Sequence, residues 1–299
     1  MTTILIVEGN TPATVARGRA GATAFVDTLA GVRPDLHTRI AAPYAMPLSL
    51  CDLEDIDAVI FTGAAEPWSV DATEAAPQRA AFEVVLNAGL PVWGSCNGMQ
   101  LAAVVLGGAV GASPNGLEVG MARDIWLTGV GQYHPMLAAR MPGYAAPSVH
   151  RDEVTVLPDC MNLLAGNDHS AVQAVACETG GMRIWGTQYH PELGAGGIAA
   201  YLSDADGIFT EQARLVELLQ AIDGNPALGL HLGADARDLS PAVRASEFLA
   251  WIDMIAPAQA LSPVAGMGYE QANTPHNPQQ AHEIHAFLAE TPPGHDRDA

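Results

Sequence analysis

Positive charge is scarce in this chain of 299 residues, which carries 13 Lys and Arg against 33 Asp and Glu and a formal charge of -20. A surplus of this sign repels phosphate backbones and anionic membrane surfaces. The sequence also has no apolar run long enough to cross a bilayer, and no basic leader precedes its first apolar segment. We therefore expect a cytoplasmic protein with no nucleic-acid partner and no membrane partner.

Cysteine pairs of the kind that bind zinc or form disulfide frameworks are also missing. The four cysteines show no CxxC spacing, and the chain has no GxxxxGK[ST] phosphate-binding loop. The sequence thus predicts no metal and no cofactor. With 49% hydrophobic residues, a chain of this length can bury one large α/β core.

One cysteine differs from the other three in its surroundings. Leu90 to Trp93 is a short apolar run typical of a buried strand, and Asn97 to Leu106 has the pattern of a helix, so Cys96 lies at the junction. A side chain at such a sharp turn projects from the sheet edge and needs small neighbours, which Gly94 and Gly98 supply. The positive end of the following helix favours the thiolate. The turn therefore predicts a nucleophile.

A second candidate segment follows the predicted strand Arg183 to Gln188. His190 and Glu192 come directly after it, and their side chains point the same way if the backbone is extended. A carboxylate at this spacing can hold the far nitrogen of an imidazole while the near nitrogen exchanges protons. His190 can reach Cys96 only if the two strands are neighbours. A structural role for a lone histidine is the alternative.

The order of the remaining patterns predicts an α/β protein. Apolar runs predict parallel strands early in the chain, and alternating segments later predict an antiparallel extension of the sheet. The loop that begins at Gly63 follows a strand and suits either ligand binding or an ordinary connection. The early strands are Thr3–Glu8, His37–Ala41 and Ala58–Thr62, the early helices are Gly21–Leu29 and Glu74–Ala88, and the later strands are Ala122–Thr128, Val154–Leu157, Ala171–Ala176 and Arg183–Gln188.

Three segments together resemble one family, the class I (triad) glutamine amidotransferases, and especially the stand-alone proteins similar to the amidotransferase domain of GMP synthase. The segments are the turn GSCNGMQ at 94–100, the strand end GTQYHPE at 186–192 and the loop TGA at 62–64. Fainter matches are GLEVG at 116–120 and SVHRDEV at 148–154. The likeness spans roughly Ile4 to Ile222. A GxCxGxQ turn followed much later by a QxHPE strand end is a highly specific combination.

The resemblance implies a flavodoxin-like fold, an open and mostly parallel sheet with helices on both faces. It implies that Cys96 is the nucleophile, that His190 acts as general base and then general acid, and that Glu192 orients His190. The implied oxyanion hole consists of the N–H groups of Ala64 and Asn97. Many relatives have a second glycine where this chain has Ala64, whose Cβ restricts the backbone. The implied substrate-binding residues are Gly63, Gln100, His150 and Tyr189, with a structural role for His150 as the alternative.

The residues and the resemblance agree on a cysteine-dependent amidohydrolase that cleaves the γ-amide of glutamine or of a γ-glutamyl amide through a glutamyl thioester. One alternative is a glutaminase subunit that delivers ammonia to a separate ATP-dependent synthase. The other is a catalytically silent interaction module. The expected partners are accordingly a small-molecule substrate and either a synthase or further copies of this chain.

The sequence predicts two parts, a catalytic domain at 1–223 and a mainly helical extension with a disordered tail at 224–299. Ser240 and Pro241 are a good N-cap and first-turn pair for a helix that runs to Ile255. A second helix is predicted from Asn277, after an arm over 257–276. Its His282 and His285 lack the i, i+4 spacing of a zinc-binding helix, which favours solvated side chains. We expect the extension to shape the substrate pocket or a dimer contact.

Overall fold

Eleven strands are present in the computed structural model, which describes residues 2–203 and 213–256. The strands are β1 (Thr3–Val7), β2 (His37–Ala41), β3 (Ala58–Phe61), β4 (Val92–Ser95), β5 (Ala109–Ala112), β6 (Glu118–Leu127), β7 (Tyr144–His150), β8 (Asp152–Val156), β9 (Asn162–Gly166), β10 (Ala174–Cys177) and β11 (Ile184–Thr187). Nine of them form one sheet in the order β2-β1-β3-β4-β11-β10-β9-β6-β7, and β5 pairs with β8 in a separate ribbon.

The helices connect these strands and cover the sheet. They are α1 (Pro12–Ala16), α2 (Gly21–Val32), α3 (Ala76–Asn87), α4 (Asn97–Val105), α5 (Ala195–Ser203), α6 (Ala213–Gly224), α7 (Ala236–Leu239), α8 (Pro241–Arg244) and α9 (Ser246–Ile255). Short 3-10 turns lie at Leu50–Leu53, Thr73–Ala75, Gly131–Tyr133, Pro135–Leu137 and Pro226–Leu232. None of the helices in the described part of the chain has the length and apolar character needed to cross a membrane.

The pairing confirms the predicted mostly parallel sheet with an antiparallel extension. The strands β2, β1, β3, β4 and β11 are parallel to one another, whereas β10, β9, β6 and β7 continue the sheet through antiparallel pairs. The pair that matters most for the site is β4 with β11, in which Ser95 lies opposite Thr187. The residues that follow these two strands therefore emerge side by side at the same edge.

Alternate residues of the central strands contribute to hydrophobic clusters on opposite faces of the sheet. Ile4 and Ile6 of β1 belong to one cluster, and Leu5 and Val7 belong to the other. The first cluster also receives α9, whose Phe248 ring lies 5.5 Å from the Trp93 ring of β4. The strand that carries the predicted nucleophile is thus packed directly against the C-terminal helices.

The C-terminal helices differ from the predicted single helix over 240–255. The chain forms α8 and α9 with a break at Ala245, and Trp251 of α9 is fully buried. The described residues beyond 223 lie in the same compact unit as those before it. The predicted arm at 257–276, the helix from Asn277, the pair His282 and His285 and the tail lie outside the described residues.

Candidate active site

Cys96 lies between β4 and α4 in a backbone conformation that side chains rarely adopt. Its φ and ψ are 49° and -105°, and it is one of three non-glycine residues with positive φ in the described part of the chain. Such a conformation persists only where the surrounding structure enforces it. Its backbone N–H donates to the Thr187 carbonyl at 2.7 Å, which ties the turn to the end of β11.

The two glycines around Cys96 are required by close backbone approach, as the sequence indicated. A methyl group added at Gly98 would overlap the carbonyl oxygen of Phe61 in β3, so the backbone would have to shift. A methyl group at Gly94 would come 2.7 Å from the carbonyl carbon of Gly98. The start of α4 therefore lies directly against β3 and β4, with Cys96 at their common edge.

His190 and Glu192 form a buried pair next to this turn. The Nδ1 atom of His190 lies 2.7 Å from Oε1 of Glu192, and both residues are about 6% exposed. The backbone N–H of His190 donates to the Pro147 carbonyl at 2.8 Å, and the Ser95 hydroxyl donates to both carboxylate oxygens of Glu192 at 3.0 Å. The imidazole is therefore held through its far nitrogen and its own backbone.

Gly63 lies against both His190 and Cys96. A methyl group added there would come 3.0 Å from Cε1 of His190 and 3.7 Å from Cβ of Cys96. The Nε2 atom of His190 is buried and has no hydrogen-bond partner among the described residues. The thiol and the imidazole come from widely separated parts of the sequence, and both lie next to Gly63. The imidazole keeps one ring nitrogen without a hydrogen-bond partner among the described residues.

Burial and the groups around His190 have opposing effects on its protonation. Burial by itself lowers the pKa of an imidazole, but the negative charge of Glu192 and the nearby Cys96 sulfur outweigh it, so the pKa of His190 is raised well above its ordinary value. The arrangement favours an imidazolium beside Cys96, which is the form that can stabilise a thiolate and give a proton to a leaving group.

A glutamine that was not among the predicted site residues contacts the thiol. The Nε2 atom of Gln188 lies 3.4 Å from Sγ of Cys96, and the Val149 carbonyl lies 3.8 Å from the same sulfur. The predicted Gln100 donates from Nε2 to Gln188 Oε1 at 3.1 Å and to the Asp152 carbonyl at 2.6 Å. Gln188 belongs to the strand-end motif at 186–192, but the sequence did not indicate that its side chain points toward Cys96.

The loop that carries Ala64 is tied to the end of β1. Asn10 accepts from the Ala65 N–H at 2.6 Å through its side-chain oxygen, and Glu66 accepts from the Thr11 N–H at 2.7 Å. Asn97 is the first residue of α4, where backbone N–H groups have no acceptor within the helix. Both Ala64 and Asn97 line a small recess in the surface.

His150 is part of a buried cluster around Glu118, a residue that sequence reasoning left without a role. The Nε2 atom of His150 lies 2.7 Å from Glu118 Oε2, and Asn167 and Gln173 each donate to this carboxylate at 2.7 Å. Burial raises the pKa of a carboxyl group, but these hydrogen bonds and the charge of His150 outweigh it and lower the pKa of Glu118. Only the faint GLEVG match pointed to this residue.

The same cluster has the donor set of a metal site. Glu118, His150 and His169 each offer one ligand atom, all within 4.8 Å of one another. Two histidines and a carboxylate suit a divalent transition metal, although the carboxylate already accepts several hydrogen bonds. A cavity of about 380 Å³ adjoins the cluster and is lined by Glu118 and His169 together with Arg123, Asp168 and His231.

The Tyr189 side chain lies in the core. The sequence placed this residue among those that bind substrate, which stays a prediction, and its side chain is fully buried with its hydroxyl donating to Glu247 at 2.6 Å. It also lies 2.8 Å from the Tyr144 hydroxyl, within the core cluster that packs against α9. The chain bends at residues 188–189 after β11, which leaves the Tyr189 side chain in the core while the neighbouring Gln188 reaches the Cys96 sulfur.

Comparison with known proteins agrees with this geometry. The model for the family described as glutamine amidotransferase class-I matches residues 42–203, which is more than half of the chain. The chain therefore belongs to the class I glutamine amidotransferase family of enzymes. The nucleophile turn and the strand end that carry the resemblance lie within the matched residues.

Individual relatives of known name are also similar to this chain. A γ-glutamyl-L-1-hydroxyisopropylamide hydrolase from a Pseudomonas species is 35% identical over 217 residues, which are 68% of this chain and 71% of that protein. A glutamine-hydrolysing GMP synthase subunit from Sulfurisphaera tokodaii is 33% identical over 141 residues, 47% of this chain and 70% of that one. The full-length GMP synthase of Thiobacillus denitrificans is longer, and the match spans 25% of it.

A solved structure shows the same fold. The glutamine amidotransferase from Methylobacillus flagellatus superposes with a TM-score of 0.63, covering 88% of this chain and 99% of that one at 20% sequence identity. At this identity the likeness concerns the fold, which confirms the predicted flavodoxin-like architecture.

Proposed function

We propose that this chain is a cysteine-dependent amidohydrolase that removes the glutamyl group from γ-glutamyl amides. The observation that carries the proposal is the pairing of His190 with Glu192 at 2.7 Å while Nε2 of the same ring is unpartnered among the described residues and lies beside the Cys96 turn. In this proposal Cys96 is the nucleophile, His190 the proton carrier and Glu192 the residue that orients the imidazole.

The first half-reaction forms a thioester. The Cys96 thiolate attacks the γ-carbonyl carbon, and the C–O double bond opens to an oxyanion that accepts from the N–H groups of Ala64 and Asn97. The tetrahedral intermediate collapses, the C–N bond breaks, and the amine leaves with the proton of the His190 imidazolium. The enzyme is then a glutamyl thioester with a neutral His190.

The second half-reaction restores the enzyme. Neutral His190 takes a proton from a water molecule as its oxygen attacks the thioester carbon, and the oxyanion forms again at the same donors. The C–S bond breaks, glutamate leaves, and Cys96 returns to the thiolate beside the imidazolium. These steps use the side chains at the sheet edge and one water molecule.

The glutamyl group would lie toward Gln100 and His150. The chain that carries His150 passes Cys96 at Val149, whose carbonyl is 3.8 Å from the sulfur. Behind it, the ionised Glu118 offers a buried negative charge suited to an α-ammonium group. We therefore propose Gly63, Gln100, His150 and Glu118 as the glutamyl-binding side.

The Pseudomonas relative supports a γ-glutamyl amide as the substrate, because it is named for the hydrolysis of such an amide and the match covers most of both chains. The Sulfurisphaera relative favours a second candidate, a glutaminase subunit that passes ammonia to a separate synthase chain. The two differ in the leaving group, an alkylamine in the first and ammonia in the second. Assembly with a synthase or with further copies of this chain, and a cytoplasmic location, stay predictions.

A substrate panel separates the candidates. The purified chain is assayed alone against glutamine and against γ-glutamyl alkylamides and arylamides, with release of glutamate as the common readout. We expect kcat/KM for at least one alkylamide to exceed that for glutamine by more than tenfold. Slow turnover of glutamine alone, with no amide hydrolysed faster, would instead favour the glutaminase subunit.

Covalent labelling tests the nucleophile independently of the leaving group. A glutamine analogue with an electrophilic diazoketone should label Cys96, as located by peptide mass spectrometry, and Cys96→Ala should take up none. Cys51→Ser is the matched control because Cys51 is exposed and far from the turn in sequence. Its labelling should equal that of the unaltered protein, whereas lack of any labelling at Cys96 would support the catalytically silent alternative.

A further inference from the structure

The two residues that flank His190 are each held by the C-terminal helices. The Tyr189 hydroxyl donates to Glu247 Oε1 at 2.6 Å, and Arg244 donates from Nη1 to the Pro191 carbonyl at 2.8 Å. Arg244 ends α8 and Glu247 lies in α9, both beyond the residues matched by the family model. The segment that presents the imidazole is thus anchored on either side by a part of the chain that the family pattern does not include.

The anchor at Tyr189 belongs to a buried hydrogen-bond network. Glu247 is fully buried and accepts from Arg140 at 2.8 Å, while the Arg140 side chain is itself fully buried. Burial, reinforced by the charge of Glu247, raises the pKa of Tyr189 well above its ordinary value, so its hydroxyl stays protonated and continues to donate. A buried network whose members are mutually bonded has little freedom to move.

The anchor at Pro191 brings a positive charge close to Glu192. The carbonyl to which Arg244 donates belongs to the peptide bond between Pro191 and Glu192. Burial lowers the pKa of Arg244, and the charge of Glu192 opposes that shift. Arg244 therefore holds the peptide bond that directly precedes Glu192. A guanidinium stays protonated at all ordinary pH values.

We propose that Arg244 is a positioning residue for the imidazole, acting with the Tyr189–Glu247 bond to set where His190 faces Cys96. The C-terminal helices then contribute to catalysis through the ends of the Tyr189–Pro191 segment, without touching the substrate. The inference rests on the proposed role of His190 as proton carrier. If Arg244, Tyr189 and Glu247 only packed the core, their loss would lower stability alone. The proposal adds that their loss lowers the rate of catalysis.

Steady-state kinetics of three arginine variants test the proposal in the full chain. Arg244→Ala should lower kcat about ten- to a hundredfold, the range expected for a misplacement of about 1 Å, and leave KM within about twofold. Arg244→Lys keeps one donor and the charge, and should recover part of kcat. Arg237→Ala is the matched control, because Arg237 lies in α7 and donates to the Ala139 carbonyl at 2.6 Å and not to the Pro191 carbonyl. It should have unaltered kinetics.

Two further measurements separate positioning from loss of folding. Ethylguanidinium at tens of millimolar should raise kcat of Arg244→Ala severalfold and leave Arg237→Ala unchanged, since a small cation can refill the gap. Tyr189→Phe keeps the buried ring but removes the hydroxyl, and should lower kcat with KM unchanged. A drop in kcat that merely follows the unfolded fraction seen by circular dichroism, with no rescue, would overturn the proposal, as would full activity of Arg244→Ala.

Failure of this inference is distinguishable from failure of the proposed function. If Cys96→Ala and His190→Ala abolish thioester formation but Arg244→Ala is fully active, only the positioning role is wrong. If Cys96→Ala retains activity, the covalent route itself is wrong. The positioning role of Arg244, which rests on that route, is then wrong as well.

Discussion

The hydroxyl of Ser95 lies 3.0 Å from each carboxylate oxygen of Glu192. Ser95 is the last residue of β4 and immediately precedes Cys96, so one side chain ties the strand of the proposed nucleophile to the carboxylate that holds His190. In the parallel pairing of β4 with β11, Ser95 lies opposite Thr187, which brings it to the same edge as the strand end. The strand that leads into Cys96 is therefore joined by a direct hydrogen bond to the carboxylate that holds His190.

Removal of this hydroxyl should weaken the orientation of His190. We expect Ser95→Ala to lower kcat about tenfold, the equivalent of one lost hydrogen bond to a charged group of about 1.4 kcal/mol. KM should stay unchanged because Ser95 does not face the substrate. Thr28→Val is the control, since the Thr28 hydroxyl donates at 3.2 Å to the backbone carbonyl of Glu192 and not to its carboxylate. Equal kcat losses in the two variants would contradict the prediction.

The backbone strain at Cys96 should be measurable as stability. Both Cys96→Ala and Cys96→Gly remove the sulfur and should abolish turnover, but only glycine adopts a φ of 49° without penalty. We expect the free energy of unfolding of Cys96→Gly to exceed that of Cys96→Ala by about 1 kcal/mol. Urea unfolding followed by circular dichroism gives both values. At an ordinary position glycine would be the less stable of the two, and that order would refute strain at this turn.

The contact between Gly63 and His190 should be sensitive to one methyl group. Gly63→Ala would bring a Cβ to 3.0 Å from Cε1 of His190, so either the ring or the loop must shift. We expect kcat to fall about ten- to a hundredfold with little change in melting temperature. Gly129→Ala is the control, because a Cβ there meets no atom within 4 Å. Unaltered kcat in Gly63→Ala would show that the added methyl group is accommodated without displacing the imidazole.

The raised pKa of His190 should make the contribution of this residue to stability depend on pH. A group that binds its proton more tightly in the folded state stabilises fully below its unfolded pKa of about 6.5. That contribution declines as pH rises and vanishes above the raised folded pKa. The difference in unfolding free energy between the unaltered protein and His190→Gln should therefore be largest near pH 6 and shrink toward pH 9. A difference that grows with pH would contradict the direction of the shift.

The sequence predicted the parts of the site that depend on near neighbours. The turn at Cys96 follows from a strand, two glycines and a helix start within a few residues, and the structure has all of them. It could not predict the side-chain directions of Gln188 and Tyr189, which depend on how the backbone bends after β11. It also left Glu118 without a role, because the hydrogen-bond partners of its carboxylate come from three later segments. They are His150, Asn167 and Gln173.

By itself the sequence determined the local chemistry of this protein: a thiol at a sharp strand-to-helix turn and an imidazole two residues from a carboxylate. Those features follow from backbone geometry over fewer than ten residues, which the local residue types dictate. Only the tertiary structure decided that β11 lies beside β4, that Gly63 lies against both the thiol and the imidazole, and that α8 and α9 hold the ends of the His190 segment. The reason is that long-range pairing is selected by burial of whole faces of the sheet, and no short stretch of residues encodes that choice.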